Sequence, residues 1–152
     1  METRAVLAQY LPETDSLTLW TSTQTPHRVK TYLGRLLKNT PANIRVIVPD
    51  VGGGFGQKVE LWPEELALGH AAMELQRPIK WVEERWENLL AYHARGFSGE
   101  VEAAVKDDGT ILGMRMRFVA DMGAYFLIMS PGPPINAVHR SAGPYAIPVM
   151  DV

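Results

Sequence analysis

Apolar and polar positions change period several times along this chain, and each change marks an element. Residues 3–10 are rich in Ala, Val and Leu and predict a strand. The cluster Pro12-Glu13-Thr14-Asp15-Ser16 predicts a turn, and Leu17-Thr18-Leu19-Trp20 a second strand, so the pair reads as a hairpin. Residues 21–24 are polar and lead into a helix, with Thr25 as its cap and Pro26 in the first position, where a missing N–H costs nothing. Val29, Tyr32, Leu33, Leu36 and Leu37 then recur at the spacing of an amphipathic helix, with Arg28, Lys30, Arg35 and Lys38 mostly off that stripe. Asn39-Thr40-Pro41 ends it. Residues 44–48 predict a short strand, buried if central. A second helix starts at Pro63. Glu64 and Glu65 sit in its first turn, where the helix dipole favours negative charge, and Leu68, Ala71, Ala72 and Leu75 form its stripe. Pro78 stops it, and residues 79–82 predict another strand.

The second part of the chain alternates with period two. Val101, Ala103 and Val105 interleave with Glu100, Glu102 and Lys106; Leu112, Met114, Met116 and Phe118 interleave with Arg115 and Arg117. Asp108-Gly109 is a turn dipeptide between them, so residues 99–125 predict a long hairpin. Residues 130–148, with Pro131, Pro133, Pro134, Pro144 and Pro148, read as irregular. No repeat, low-complexity tract or linker divides the sequence. The expected fold is α+β: one two-layer lobe spanning 1–152, made of short mixed β-sheets with two main amphipathic helices on one side.

Composition narrows the function. The 152 residues carry 15 basic against 17 acidic side chains, a net charge of −2, which argues against electrostatic binding to nucleic acid or an anionic membrane. Cysteine is absent, which excludes disulfides, a thiolate zinc site, a cysteine nucleophile and a cysteine-held iron–sulfur cluster within these residues. It fits a reducing compartment, and the expectation is cytoplasmic. No uninterrupted apolar run reaches membrane-spanning length, and Met1-Glu2-Thr3-Arg4 does not open a secretory signal.

The most unusual segment is Val51-Gly52-Gly53-Gly54-Phe55-Gly56-Gln57-Lys58. Its glycines permit sharp turning and let successive N–H groups face one ligand oxygen. A tight packed turn is the plain alternative. A phosphate-binding P-loop needs Gly before the lysine and Ser or Thr after it, but Gln57 and Val59 stand there. A dinucleotide fingerprint needs a third glycine where Gln57 stands. Phe55, boxed by glycines, is either a core anchor for the loop or a ring facing a ligand. Gln24 has an amide that both donates and accepts, and so can meet an oxo group or carbonyl; a solvated loop residue is the plain alternative. His27, His70, His93 and His139 lack metal-ligand spacing and read as structural or surface residues. Glu83, Glu84 and Glu87 with Arg85 read as a solvated helical or turn face with local ion pairs.

The loop from Asp50 to Lys58 resembles the glycine–phenylalanine loop of the molybdenum hydroxylases, the family of xanthine dehydrogenase, aldehyde oxidase and the large subunit of aerobic carbon monoxide dehydrogenase. Trp20-Thr21-Ser22-Thr23-Gln24-Thr25-Pro26-His27, Lys80-Trp81-Val82-Glu83-Glu84-Arg85-Trp86-Glu87-Asn88 and Asp121-Met122-Gly123-Ala124-Tyr125 resemble further segments of that family, in its order.

The resemblance implies that Gln24 hydrogen-bonds an oxo ligand of molybdenum, as an outer partner and not a direct metal ligand. It implies that Gly53, Gly54, Phe55 and Gly56 lie against the cofactor, molybdopterin or molybdopterin cytosine dinucleotide carrying Mo. Purine-hydroxylating members carry a glutamate where Val59 stands, so this substrate-pocket position favours an aldehyde, another heterocycle or a small aromatic. The family's base glutamate and an arginine loop belong to later parts of much longer subunits. The resemblance therefore implies a fragment without a catalytic base, inactive when isolated. Its partners would be the remaining lobes, with iron–sulfur clusters and FAD on other domains or subunits. A different class of reading, a non-catalytic phosphate- or nucleotide-binding module built on the glycine loop, would not need Gln24 near Phe55.

Overall fold

A computed structural model describes residues 2–38, 40–92, 96–127 and 129–152. Two compact units emerge, residues 1–92 and 93–152. The first begins with the predicted hairpin, β1 (Ala5–Leu11) and β2 (Ser16–Thr21), paired antiparallel from Val6↔Thr21 to Leu11↔Ser16. Its turn is tied by Asp15, whose carboxylate accepts from the Tyr10 hydroxyl and the Ala42 N–H, both at 2.8 Å. The chain then rises through α1 (Pro26–Leu36) and returns as β3 (Asn43–Ile47), parallel to β2 because the helix carries it back to the same end. After α2 (Pro63–Leu75), β4 (Ile79–Val82) pairs antiparallel with β1. The sheet order is β3-β2-β1-β4, so β3 is an edge strand, not a central one.

Both helices cover one face of this mixed sheet. Val6, Ala8, Leu17, Leu19 and Ile44 from the strands meet Val29, Leu33 and Leu37 from the α1 region and Ala72 from α2. The expected stripe of α1 is partly correct: Val29, Leu33 and Leu37 are buried, while Leu36 is exposed. In α2 the expected stripe is displaced. Glu65, Gly69 and Ala72 are the buried positions, and Leu75 is exposed. Gly69 sits where a Cβ would already be 3.5 Å from the Leu17 side chain and 3.7 Å from that of Leu33. The absence of a side chain lets α2 approach β2 and α1 closely, and this draws the contact line through Gly69.

Thr25 occupies the position before α1 but does not cap it. Its hydroxyl donates to the Val59 carbonyl at 2.7 Å, a partner from the glycine loop that no local pattern foretells. The acidic cluster also departs from expectation. Glu83 is buried, whereas Glu84 is exposed and its N–H donates to Glu87 Oε2 at 2.7 Å, opening α3 (Arg85–Ala91), the helical form of that face. Glu83 accepts from the backbone N–H and the Nε of Arg4, each at 2.9 Å, and from Asn88 Nδ2 at 2.8 Å. The Arg4 guanidinium also reaches Glu64 at 3.3 Å and lies over the rings of Trp62, 4.1 Å from its centroid, and Trp81. Burial pushes the Glu83 carboxyl up, but the bonds from Arg4 and Asn88 outweigh it and hold the group below the ordinary carboxylate range.

The second unit is built on β5 (Gly96–Val105) and β6 (Ile111–Asp121), antiparallel, turning through Gly109 at φ +86°. A two-residue strand, β7 (Met150–Asp151), joins β6 in parallel. The stretch read as irregular contains α4 (Gly132–His139). Its Pro133 and Pro134 fall in the first turn, where no intrahelical N–H is required, so the prolines start this helix instead of preventing it. Met116 is the buried apolar residue of this unit among the described residues; Val101, Val105, Phe118, Val119, Tyr125 and Phe126 are exposed. Among the described residues no helix is long and apolar enough to cross a membrane.

Two outcomes test this account of the first unit. Arg4→Met strands the buried Glu83 carboxylate and is expected to cost about 3–5 kcal/mol in urea unfolding. Glu65 supplies a pH signature. Burial raises its carboxyl above the ordinary 4.5, against hydrogen bonds from Thr21 and Trp62 and the charge of Arg4. A raised folded value means the native state holds its proton more tightly, so stability falls as pH rises from about the ordinary value through the folded one. Glu65→Gln is expected to raise the melting midpoint at pH 7, with the gain vanishing below the ordinary carboxylate range.

Candidate functional site

The site lies in the first unit, between the end of β3 and the start of α2. Pro49 and Asp50 lead from the strand into residues 51–59, which form no regular element apart from a 3-10 turn at Gln57–Val59. Three consecutive features bend this loop: Gly53 at φ +92°, Phe55 at φ +50° and Gly56 at φ +88°. A non-glycine residue in the left-handed region costs roughly 1–2 kcal/mol, and such strain persists only where surrounding contacts fix it. Phe55 is also 80% exposed. It is therefore no core anchor; its ring is solvent-exposed and lies against the Gly53 backbone.

The glycines are required by what packs on them. A Cβ at Gly53 would lie 2.6 Å from the Phe55 ring, and a Cβ at Gly54 would lie 2.5 Å from Gln24 Oε1. The loop backbone is thus the surface on which the Phe55 ring and the Gln24 amide rest. Gln24 is exposed, on the polar approach to α1, and its Oε1 accepts from the Gly56 N–H at 3.0 Å. That bond decides the chemistry of the amide. With the oxygen engaged, the Nε2 group is the end left to meet a ligand, so Gln24 is presented as a donor to an acceptor such as an oxo group. No described residue accepts from the N–H groups of Gly53, Gly54 or Phe55, which adds three backbone donors beside it.

The loop is fastened at several points from outside. The Lys58 carbonyl accepts from the Gln24 N–H at 2.8 Å and the Thr23 hydroxyl at 3.1 Å. Gln57 is buried; its side-chain amide donates to the Asn88 carbonyl at 3.3 Å and its own carbonyl accepts from Trp62 Nε1 at 3.0 Å. Val59 is half-buried at the far end of the loop. Glu2 and Lys58, which sequence reasoning left without a role, meet here: Glu2 Oε2 accepts from the Gly52 N–H at 2.9 Å and pairs with Lys58 Nζ at 3.2 Å. Their separation in sequence leaves no local signal. The backbone N–H of Gly52 and then the Lys58 ammonium hold the Glu2 carboxyl below its ordinary range.

Gln24 and the loop around Phe55 are brought together, 31 positions apart in sequence. His27, His70 and His139 are exposed and away from any metal cluster; His93 lies outside the described residues. Among the described residues no group of three His, Asp or Glu side chains could hold a metal ion directly.

Comparison with known proteins bears on this geometry. The molybdopterin cofactor-binding domain family matches residues 1–152. The chain belongs to that family. Its relatives include the nicotine 6-hydroxylase large subunit of Paenarthrobacter nicotinovorans, 45% identical over 84% of the chain and 16% of the relative. They also include the carbon monoxide dehydrogenase large chain of Hydrogenophaga pseudoflava, 37% identical over 97% of the chain and 19% of the relative. Quinoline 2-oxidoreductase from Pseudomonas putida 86 superposes with a TM-score of 0.85 at 40% identity, covering 99% of the chain and 20% of that structure. The chain thus spans about a fifth of the length of these relatives. Membership in the molybdopterin-binding family removes the support for a separate phosphate-binding module. The α-helix that follows the glycines, α2, starts only at Pro63, with a 3-10 turn at Gln57–Val59 between them.

The donors without an acceptor among the described residues, one side-chain amide and three backbone N–H groups, fit a bulky, oxygen-rich anionic cofactor, with the exposed Phe55 ring beside them. Gly54→Ala pushes the Gln24 amide off the loop and is expected to speed hydrogen exchange at the Gly56 N–H about fivefold, the value of one ordinary hydrogen bond. Exchange at wild-type rate would show that the amide does not rest there.

Proposed function

We propose that this chain is one cofactor-gripping lobe of the molybdopterin-binding catalytic subunit of a molybdenum hydroxylase. In this reading Gln24 donates an amide N–H to an oxo ligand of the metal. Gly53, Gly54 and Gly56 hold the molybdopterin, or its cytosine dinucleotide form, against their backbone, and Phe55 lies along it. The bound cofactor supplies the oxidative hydroxylation chemistry; these residues bind and orient it. The observation that carries the reading is the Gln24 Oε1 to Gly56 N–H bond, which turns the amide into a donor beside the glycine loop.

The substrate is an aldehyde, an N-heterocycle or a small aromatic. Val59 supports this, since an aliphatic side chain there offers no carboxylate to a purine. The relatives named above act, by their names, on nicotine, carbon monoxide and quinoline. Electrons leave through iron–sulfur and flavin partners, in keeping with a chain that has no cysteine to hold a cluster. The exposed apolar faces of both units, such as Leu89 and Leu90 of α3 and Val119 of β6, are the surfaces on which the remaining lobes would pack. The same cysteine-free composition favours a cytoplasmic enzyme.

The test is made on the whole subunit with its partners, purified and assayed for molybdenum, pterin and oxidation of aldehydes and quinoline-type heterocycles. Molybdenum close to one per subunit is expected. Gln24→Ala is expected to lower kcat about 10²–10³-fold, the usual loss on deleting one donor to developing charge. A subunit that binds no molybdenum sinks the reading. The isolated 152-residue chain is expected to be inactive with added cofactor.

A further inference from the structure

Lys58 presents an energetic puzzle. Its side chain is 1% exposed, yet it carries a charge. Burying an ammonium is costly unless it is paired, and a methionine would fill a similar volume without that cost. Its partner Glu2 is far away in sequence and itself 44% exposed, so simple packing does not explain why the two meet. What the pair does is visible in its other bonds.

Glu2 Oε2 holds both ends of the glycine loop, accepting from the Gly52 N–H at its start and from Lys58 Nζ at its end. The Glu2 N–H returns a bond to the Gly52 carbonyl at 3.0 Å, and a Cβ on Gly52 would collide with Glu2 Cβ at 2.8 Å. One carboxylate thus closes residues 52–58 into a ring. The Lys58 carbonyl, on the same residue, accepts from the Gln24 N–H and the Thr23 hydroxyl. Lys58 is therefore the residue at which the closed loop and the Gln24 segment are joined. If it shifts, the Gln24 amide and the Gly56 N–H no longer face each other.

We propose that Glu2 and Lys58 form an electrostatic clasp that positions the Gln24 amide and the glycine loop toward the cofactor. This rests on the reading of the site as a molybdopterin site. The pair touches no cofactor atom itself; both are positioning residues. The charge is what the clasp requires, because one carboxylate oxygen holds the amide N–H and the ammonium at once, and the charge-assisted bond to the ammonium is much weaker to a neutral amide oxygen.

The test compares Lys58→Met and Glu2→Gln with wild type in the assembled holoenzyme. Met fills the volume and deletes the ammonium; Gln still accepts from the Gly52 N–H but leaves the buried Lys58 ammonium without its counter-charge, so the first variant removes the pair and the second removes only its negative half. Both are expected to speed hydrogen exchange in peptides covering residues 50–60 about tenfold, with exchange in β1 and β2 unchanged. Both are expected to release molybdenum about tenfold faster and to alter the Mo(V) paramagnetic signal, with kcat lowered and KM little changed. Unchanged exchange and unchanged molybdenum retention in Lys58→Met overturn the clasp. So does faster exchange spread across the whole sheet, which marks a merely structural ion pair, or an effect in one variant and not the other. Wild-type holoenzyme without molybdenum instead overturns the functional reading beneath it.

Discussion

The Lys58 carbonyl is the acceptor on which the site depends. Residues 51–59 form no ladder and only a single 3-10 turn, so they have almost no backbone hydrogen bonds of their own to define a shape. A run of glycines has many accessible conformations and loses more freedom than other residues on ordering. The order must come from other segments. The Gln24 N–H and the Thr23 hydroxyl converge on the Lys58 carbonyl, and the Thr25 hydroxyl adds the Val59 carbonyl next to it. Three consecutive residues before α1 are spent on two consecutive carbonyls of the loop. Thr25 forgoes its capping role for this, and α1 gives up a local bond for a distant one.

That division of labour explains what could be read from sequence. The hairpin of β1 and β2, both main helices and β4 rest on period and punctuation: Pro26, Pro63 and Pro78 mark the helix limits, and alternation marks the strands. Those signals are local, and the structure reproduces them. Gln24 and the loop were legible as a resemblance, and their meeting was the one tertiary contact it implied. Glu2, Lys58 and the Thr25–Val59 bond were not legible. Each depends on a partner 34 or more residues away, where no spacing rule operates.

The errors share a physical cause as well. Glu83 lies among charged neighbours in sequence and was read as solvated, yet it is buried by Arg4, 79 positions away. The buried line of α2 runs through Glu65 and Gly69, because a carboxylate with two hydrogen-bond donors and a glycine at a close crossing both bury well. Hydropathy assigns neither to a core. In α4, proline content reads as irregular structure, whereas the position of Pro133 and Pro134 in the first turn reverses its meaning.

Among the described residues of the first unit, the Arg4 cluster and the Glu2–Lys58 pair serve different ends, and their surroundings show how. Arg4 is enclosed by Glu83, Glu64 and two indoles, with donors and acceptors matched on nearly every side. Such a cluster joins the segment before β1 to α2 and to the end of β4, and losing a member leaves a charge stranded in a low-dielectric interior. Lys58 has one carboxylate among the described residues, half in solvent. Desolvating the Lys58 ammonium offsets much of the attraction in such a pair, so its net contribution to stability is small. What it fixes is where two ends of a loop stand relative to each other. The Phe55 backbone is held in a costly conformation next to it, so the surrounding bonds must over-determine the loop. Stability in this unit is concentrated around Arg4, and the accuracy of the site around Lys58.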